Sequence, residues 1–146
     1  MKLQKKPNRW SCLITAFAMV LDMDVHDLIK LVGHDGSTIM WPDLPEPQCR
    51  RAWHPQEIIN AIWKLGFSTT VFENRLITAP MPGVTPFQMY FDLNDYIQTT
   101  AGVAGVNGHA LAYQNNELFD PDTGRRCINT YTINTLWVIK SESRTY

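Results

Sequence analysis

Cys12 stands where a polar, proline-bearing lead-in (KPNRWS) meets the apolar run LITAFAMVL, Leu13 to Leu21. Ser11 fits the cap of a helix that Cys12 opens. A thiol there feels the free N–H groups and the positive end of the helix, which favour thiolate, the nucleophilic form. A small buried hydrophobe is the competing reading of the same residue. A nucleophilic thiol needs a base, and the chain offers His26, His34, His54 and His109. His26 reads as an exposed helical residue and His54, before Pro55, as a residue that opens a helix. His34, in GHDG, reads as a loop residue with a local hydrogen bond, a dyad with Asp35 being the alternative. His109 opens a strand in NGHALAYQNNELFDP.

The carboxylate follows from a turn. If Asn115 and Asn116 form a two-residue hairpin turn, Gln114 opposes Glu117, Leu111 opposes Asp120 and His109 opposes Asp122. Alternation then puts His109 and Asp120 on one face as diagonal neighbours. In that position Asp120 either fixes the imidazole's tautomer and orientation or caps the DPDTG turn. Acyl transfer also needs donors for a developing oxyanion. The Cys12 N–H is one, and Gln4 or Asn8 offers a side-chain amide just upstream.

These residues require elements to hold them. Leu13 to Leu21 is apolar except for Thr15, so its helix is expected to be buried on all sides. Asp24 caps a second helix, Val25 to Val32, which Gly33 stops. Pro55 opens a third, with Ile58, Ile59, Ile62 and Leu65 as its apolar stripe and Gly66 as its end. Strands are expected at Phe67 to Glu73, Ala101 to Val106, His109 to Gln114, Glu117 to Asp120 and Thr135 to Lys140. Phe87 to Ile97 fits a short helix. The proline-rich stretches around Pro42 to Pro47 and Pro80 to Pro86 read as loops. Helices first and strands later indicate α+β rather than alternating α/β.

Three segments in order, LQKKPNRWSCLITAFAMVL, NGHALAY and LFDPDTG, resemble the papain-like cysteine peptidases. The similarity is greatest to the subgroup that resembles bacteriocin-leader-processing (double-glycine) peptidases. The resemblance implies one papain-like α+β domain over residues 1–146, with N-terminal helices packed on a C-terminal antiparallel sheet. It implies Cys12 as nucleophile, His109 as general base and acid, Asp120 as orienter and Gln4 as oxyanion donor. Trp10, Asn107 and Gly108 flank these positions as candidate substrate contacts, with packing and turn roles as the competing reading of each. The segment from Gly33 to Pro86 is not covered. Leu13 stands where the family often has glycine, and Gln4 lies further from the cysteine than the family's glutamine does.

The bulk composition sets outer bounds. The chain has 146 residues, 45% hydrophobic and 18% charged, which suits one folded domain. A net charge of −1 gives no electrostatic footprint for nucleic acid or an anionic membrane. Lys2, Lys5, Lys6 and Arg9 read as a solvated terminal segment. Cys12, Cys49 and Cys127 are odd in number and widely spaced, unlike a disulfide framework. Leu13 to Leu21 is too short to span a bilayer and no small-residue cleavage site follows it. A cytoplasmic, reducing setting is expected. Cys49 and His54 have no second pair to complete a zinc site, and no glycine-rich phosphate loop is present, so neither metal nor cofactor is expected. The expected partner is a protein or peptide substrate, and the oligomeric state is left open. Peptide, isopeptide or side-chain amide hydrolysis and acyl transfer all use one thioester intermediate. A non-catalytic protein-binding module on the same fold is the alternative, with its proline-rich loops as contact surface.

Overall fold

Helix α1, Cys12–Val20, is apolar on every side, and residues 14–19 are all buried. Its one polar side chain, Thr15, donates to the Ser11 carbonyl at 2.6 Å. Ser11 occupies the cap position, but its hydroxyl donates backwards to the Asn8 carbonyl at 2.8 Å and does not cap the helix. The Ser11 hydroxyl closes the turn before α1, and the first N–H groups of α1 are left without it.

The computed structural model describes residues 1–45, 50–73, 75–77, 87–89, 93–106, 108–127 and 132–142, with backbone alone at 75–77, 87–89 and 93–95. Cys49 and Asn107 lie outside the described residues. Helix α2, Val25–Val32, starts on Asp24, which accepts the His26 N–H at 2.8 Å, and ends on Gly33 at φ 105°. Helix α3, Pro55–Trp63, opens on a capping box in which His54 accepts from Gln56 and Glu57 reaches back to the His54 N–H. The expected stripe is shorter by one member. The helix stops at Trp63, so Leu65 falls off its face and is 46% exposed.

A six-stranded antiparallel sheet follows. Its strands are β1 Phe67–Glu73, β4 Gly102–Val106, β5 His109–Gln114, β6 Glu117–Asp120, β7 Gly124–Cys127 and β8 Thr135–Ser141, in the order β1-β8-β4-β5-β6-β7. Strands β2 Arg75–Ile77 and β3 Phe87–Met89 form a separate pair, and helix α4 is Leu93–Thr99. The stretch expected as one short helix thus holds a strand and a helix. Strand β7 has no sequence signal, because GRRC is an outer strand with mostly exposed residues and lacks an apolar alternation.

Alternation splits the sheet residues between two cores. Val103, Ala110, Ala112, Phe119 and Ile139 pack with residues of α1, α2 and α3, including Phe17, Leu28 and Ile58. Ala104, Leu111, Tyr113, Leu118, Leu136 and Val138 pack on the other side with Ile97 of α4. Each fully buried leucine or isoleucine contributes about 2 kcal/mol from its burial. The result is a mixed α+β fold, with four helices among the described residues. Among these residues no helix is long and apolar enough to cross a membrane.

Candidate active site

The hairpin that carries the histidine forms as its turn residues predict. Asn115 and Asn116 take φ of 52° and 60°, and Gln114 pairs with Glu117. Asparagine tolerates this left-handed backbone, which most side chains resist. His109, the first residue of β5, and Asp120, the last of β6, are thereby brought together, with His109 Nε2 2.8 Å from Asp120 Oδ1. Asp120 is 1% exposed. The same Oδ1 accepts the Asp122 N–H at 2.8 Å, so Asp120 both holds the imidazole and caps the turn.

With Nε2 committed to Asp120, Nδ1 is the nitrogen left to meet the Cys12 thiol, and the interaction of the two side chains shifts the pKa of both. The helix N-terminus and the strand start converge at the end of the sheet, where α1 packs on β5. Burial pushes the half-buried thiol's pKa up, but its bonds to His109 and the Ala110 backbone and the charges of His109 and Lys6 outweigh that and lower it overall. The His109 pKa is raised to about 9, mainly by its bond to Cys12; burial opposes the rise, while the bond and charge of Asp120 reinforce it. Both shifts favour a thiolate–imidazolium pair near neutral pH.

Lys6 belongs to this site and not to a solvated tail. Its Nζ lies 2.7 Å from Asp122 Oδ1, and its side chain is only 17% exposed. The other oxygen of Asp122 is 3.8 Å from His109 Nε2. His109, Asp120 and Asp122 offer ligand atoms within 4.8 Å of one another, a spacing that a cation could use. In this structure those atoms are occupied by hydrogen bonds among themselves and by the Lys6 ammonium.

Gln4 is not where an oxyanion donor must be. Its Nε2 donates to the Met23 carbonyl at 2.7 Å and its Oε1 accepts the Val25 N–H at 2.9 Å. The Gln4 amide therefore joins the N-terminal segment to the α1–α2 connection, roughly one helix length, about 13 Å, from the Cys12 end of α1. Asn8 is the upstream amide left available. Its Oδ1 accepts the Trp10 N–H at 3.2 Å, and among the described residues its side-chain NH2 makes no hydrogen bond.

Cys12 opens on a cleft of about 680 Å3 whose walls include Trp10, Leu13, Trp53, Gly108 and Trp137. Leu13 lines the space beside the thiol. Trp10 and Trp53 are pinned by their indole N–H groups to the carbonyls of Asp35 and His34, each at 3.1 Å. Gly36 lies against both rings at φ 74°; a Cβ there would meet Trp53 at 3.0 Å and Trp10 at 3.2 Å. GHDG therefore holds an aromatic wall. His34 bonds Glu57 at 2.8 Å, not Asp35, whose carboxylate takes the Ser37 N–H and hydroxyl. A neighbouring hollow of about 550 Å3 is lined by Trp41, His54 and Glu57 and contains no thiol.

His26 is exposed and His54 caps α3, as their positions suggest. Lys6 is the site residue that sequence reasoning missed, because its partner lies at the other end of the chain. No protein-family model matches the sequence, and no curated protein does.

Proposed function

We propose that this protein is a cysteine hydrolase of papain-like architecture that cleaves an amide bond in a protein or peptide. The observation that carries the reading is one arrangement. A buried carboxylate holds one nitrogen of His109, and the other nitrogen meets a thiol at a helix N-terminus that opens into a cleft. A helix bearing the thiol, packed on an antiparallel sheet bearing the histidine and aspartate, supports the architectural part.

The Cys12 thiolate attacks the amide carbonyl carbon and forms a C–S bond while the carbonyl oxygen takes the negative charge. The Cys12 N–H and the Asn8 amide donate to that oxygen. The His109 imidazolium gives its proton to the departing amine as the C–N bond breaks, leaving a thioester. His109, now neutral, takes a proton from water. The resulting hydroxide adds to the thioester, the C–S bond breaks, and the acid and the thiolate–imidazolium pair are released. Asp120 keeps Nδ1 directed at sulfur throughout.

Alkylation by iodoacetamide, followed by peptide mass mapping, tests this. Cys12 is expected to react about 10²-fold faster than Cys127 at neutral pH, and to lose that advantage in His109→Ala. Equal, slow reaction of both thiols would overturn the reading and favour a binding module. Cys12→Ala is expected to abolish turnover with the fold intact; retained turnover would exclude the mechanism.

A further inference from the structure

The charge on the cleft is out of keeping with the rest of the chain. The molecule carries a net charge of −1, yet Arg9, Arg50 and Arg51 all line the cleft that Cys12 opens on. Among the described residues that line it, Glu73 is the one carboxylate, and His54 is the other titratable side chain besides Cys12 and the arginines. Arg50 and Glu73 are already engaged. Arg9 and Arg51 are exposed, and among the described residues neither forms an ion pair. The Arg51 guanidinium lies over the Trp10 ring at 5.6 Å. Such stacking uses the plane of the guanidinium and leaves its N–H donors in the fork geometry that matches a carboxylate. Trp10 itself is fixed by its bond to Asp35, so Arg51 rests on a rigid support. The same cleft offers Met40, Trp53, Ile59 and Trp137, an apolar lining suited to a bulky side chain.

We infer that the cleft selects a peptide carrying a carboxylate beside a bulky apolar side chain, close to the bond that is cut. The inference rests on the cysteine-hydrolase reading and deepens it. A peptide is favoured over nucleic acid because a thiolate needs an acyl carbon, which a nucleic-acid backbone lacks, and because the molecule as a whole is not basic. Aspartate, glutamate or a C-terminal carboxylate would supply the same chemistry.

The test uses the full chain and a set of capped peptidyl acyloxymethyl ketones, which alkylate the thiol irreversibly as a C–S bond forms at the methylene carbon and the carboxylate leaves. They differ only in having Glu, Gln or Lys next to a Phe, and a further one has Gln with a free C-terminal carboxylate on a short side branch. The readout is the second-order rate of Cys12 labelling by mass spectrometry. The Glu compound is expected to react about tenfold faster than the Lys compound at low salt, with the ratio shrinking toward one at high ionic strength. In the Arg9→Gln/Arg51→Gln variant the ratio is expected to fall to about twofold or less, and in Arg9→Glu/Arg51→Glu it is expected to invert, a charge reversal that mere loss of packing would not give. If the branched carboxylate matches Glu, a terminal carboxylate serves equally; if not, the side-chain form is the ligand. Equal rates for the three compounds, or a preference that persists unchanged in both variants, would overturn the inference. If iodoacetamide still labels Cys12 rapidly and in a His109-dependent manner, that result sinks the substrate class alone. If iodoacetamide labels Cys12 no faster than Cys127, the hydrolase reading falls and takes the inference with it.

Discussion

His109 and Asp120 meet at 2.8 Å, and so do His34 and Glu57. By residue type and distance the two pairs are interchangeable. Their surroundings are not. Asp120 is 1% exposed, whereas the Glu57 side chain is 22% exposed and its second oxygen is taken by the His54 N–H. The second nitrogen of His109 meets a thiol; that of His34 accepts the Gly36 N–H at 3.2 Å. His34 therefore has both nitrogens bound to protein and none to offer a substrate. A histidine–carboxylate pair is a structural brace unless the other nitrogen faces a group that can give up a proton. Here the brace and the proposed catalytic pair serve the same cleft, one by holding its aromatic wall and one by charging its sulfur.

The largest test of that contrast is a pair of alanine substitutions. His109→Ala is expected to lower kcat/KM by about 10³-fold or more, while His34→Ala leaves kcat within about twofold of wild type and lowers the thermal midpoint instead. Steady-state kinetics beside thermal melts read both, and a comparable kinetic loss from His34→Ala would erase the distinction. One step smaller, Asp120→Asn is expected to cost about 10²- to 10³-fold in kcat, because the amide can hold the ring in the wrong tautomer. Its counterpart Glu57→Gln is expected to cost only about 1 kcal/mol of stability, through a weakened capping box, as denaturant titration would report.

A third comparison sets Asn8 against Gln4. Asn8→Asp keeps the oxygen that accepts the Trp10 N–H but removes the NH2, so kcat is expected to drop about 10²-fold with KM little changed. Gln4→Ala is expected to leave kcat alone and to destabilise by about 1–3 kcal/mol, since it leaves the Val25 N–H without its acceptor. The smallest effect concerns pH. The rate is expected to rise as the Cys12 thiol ionises, below its ordinary value of 9.0, and to fall near pH 9 as the His109 imidazolium loses its proton. Removing the Lys6 charge in Lys6→Met raises the thiol's pKa, so the acid limb of the pH–rate profile is expected to move to higher pH. An unmoved acid limb would mean that the Lys6–Asp122 pair is only a tether.

What could be read from the sequence had a local cause. The helix start at Cys12 shows as an abrupt change from polar to apolar residues. Two asparagines fix a turn, and counting from the turn puts His109 beside Asp120. The Asp24 and His54 caps and Gly33 also lie within a few residues of what they act on. The unread parts are contacts between distant segments. Nothing near Gln4 indicates that its amide binds at Met23 and Val25, and nothing near Lys6 indicates Asp122. His34 does bond within its loop, through the Gly36 N–H, but nothing local indicates the carboxylate of α3 that its other nitrogen takes. Strand β7 escaped for a different reason: an edge exposed to solvent has no apolar rhythm to read.

The sulfur and the histidine and aspartate of its site come from distant parts of the polypeptide, which has a consequence for how the protein is made. A ribosome delivers Cys12 well before His109, Asp120 and Asp122, and β4 is made before its neighbour β8. A nascent or truncated chain therefore exposes an ordinary, sluggish thiol. On the proposed reading, reactivity is acquired only once β5 and β6 have been added, so copies that stop short of them are poor nucleophiles toward the proteins around them.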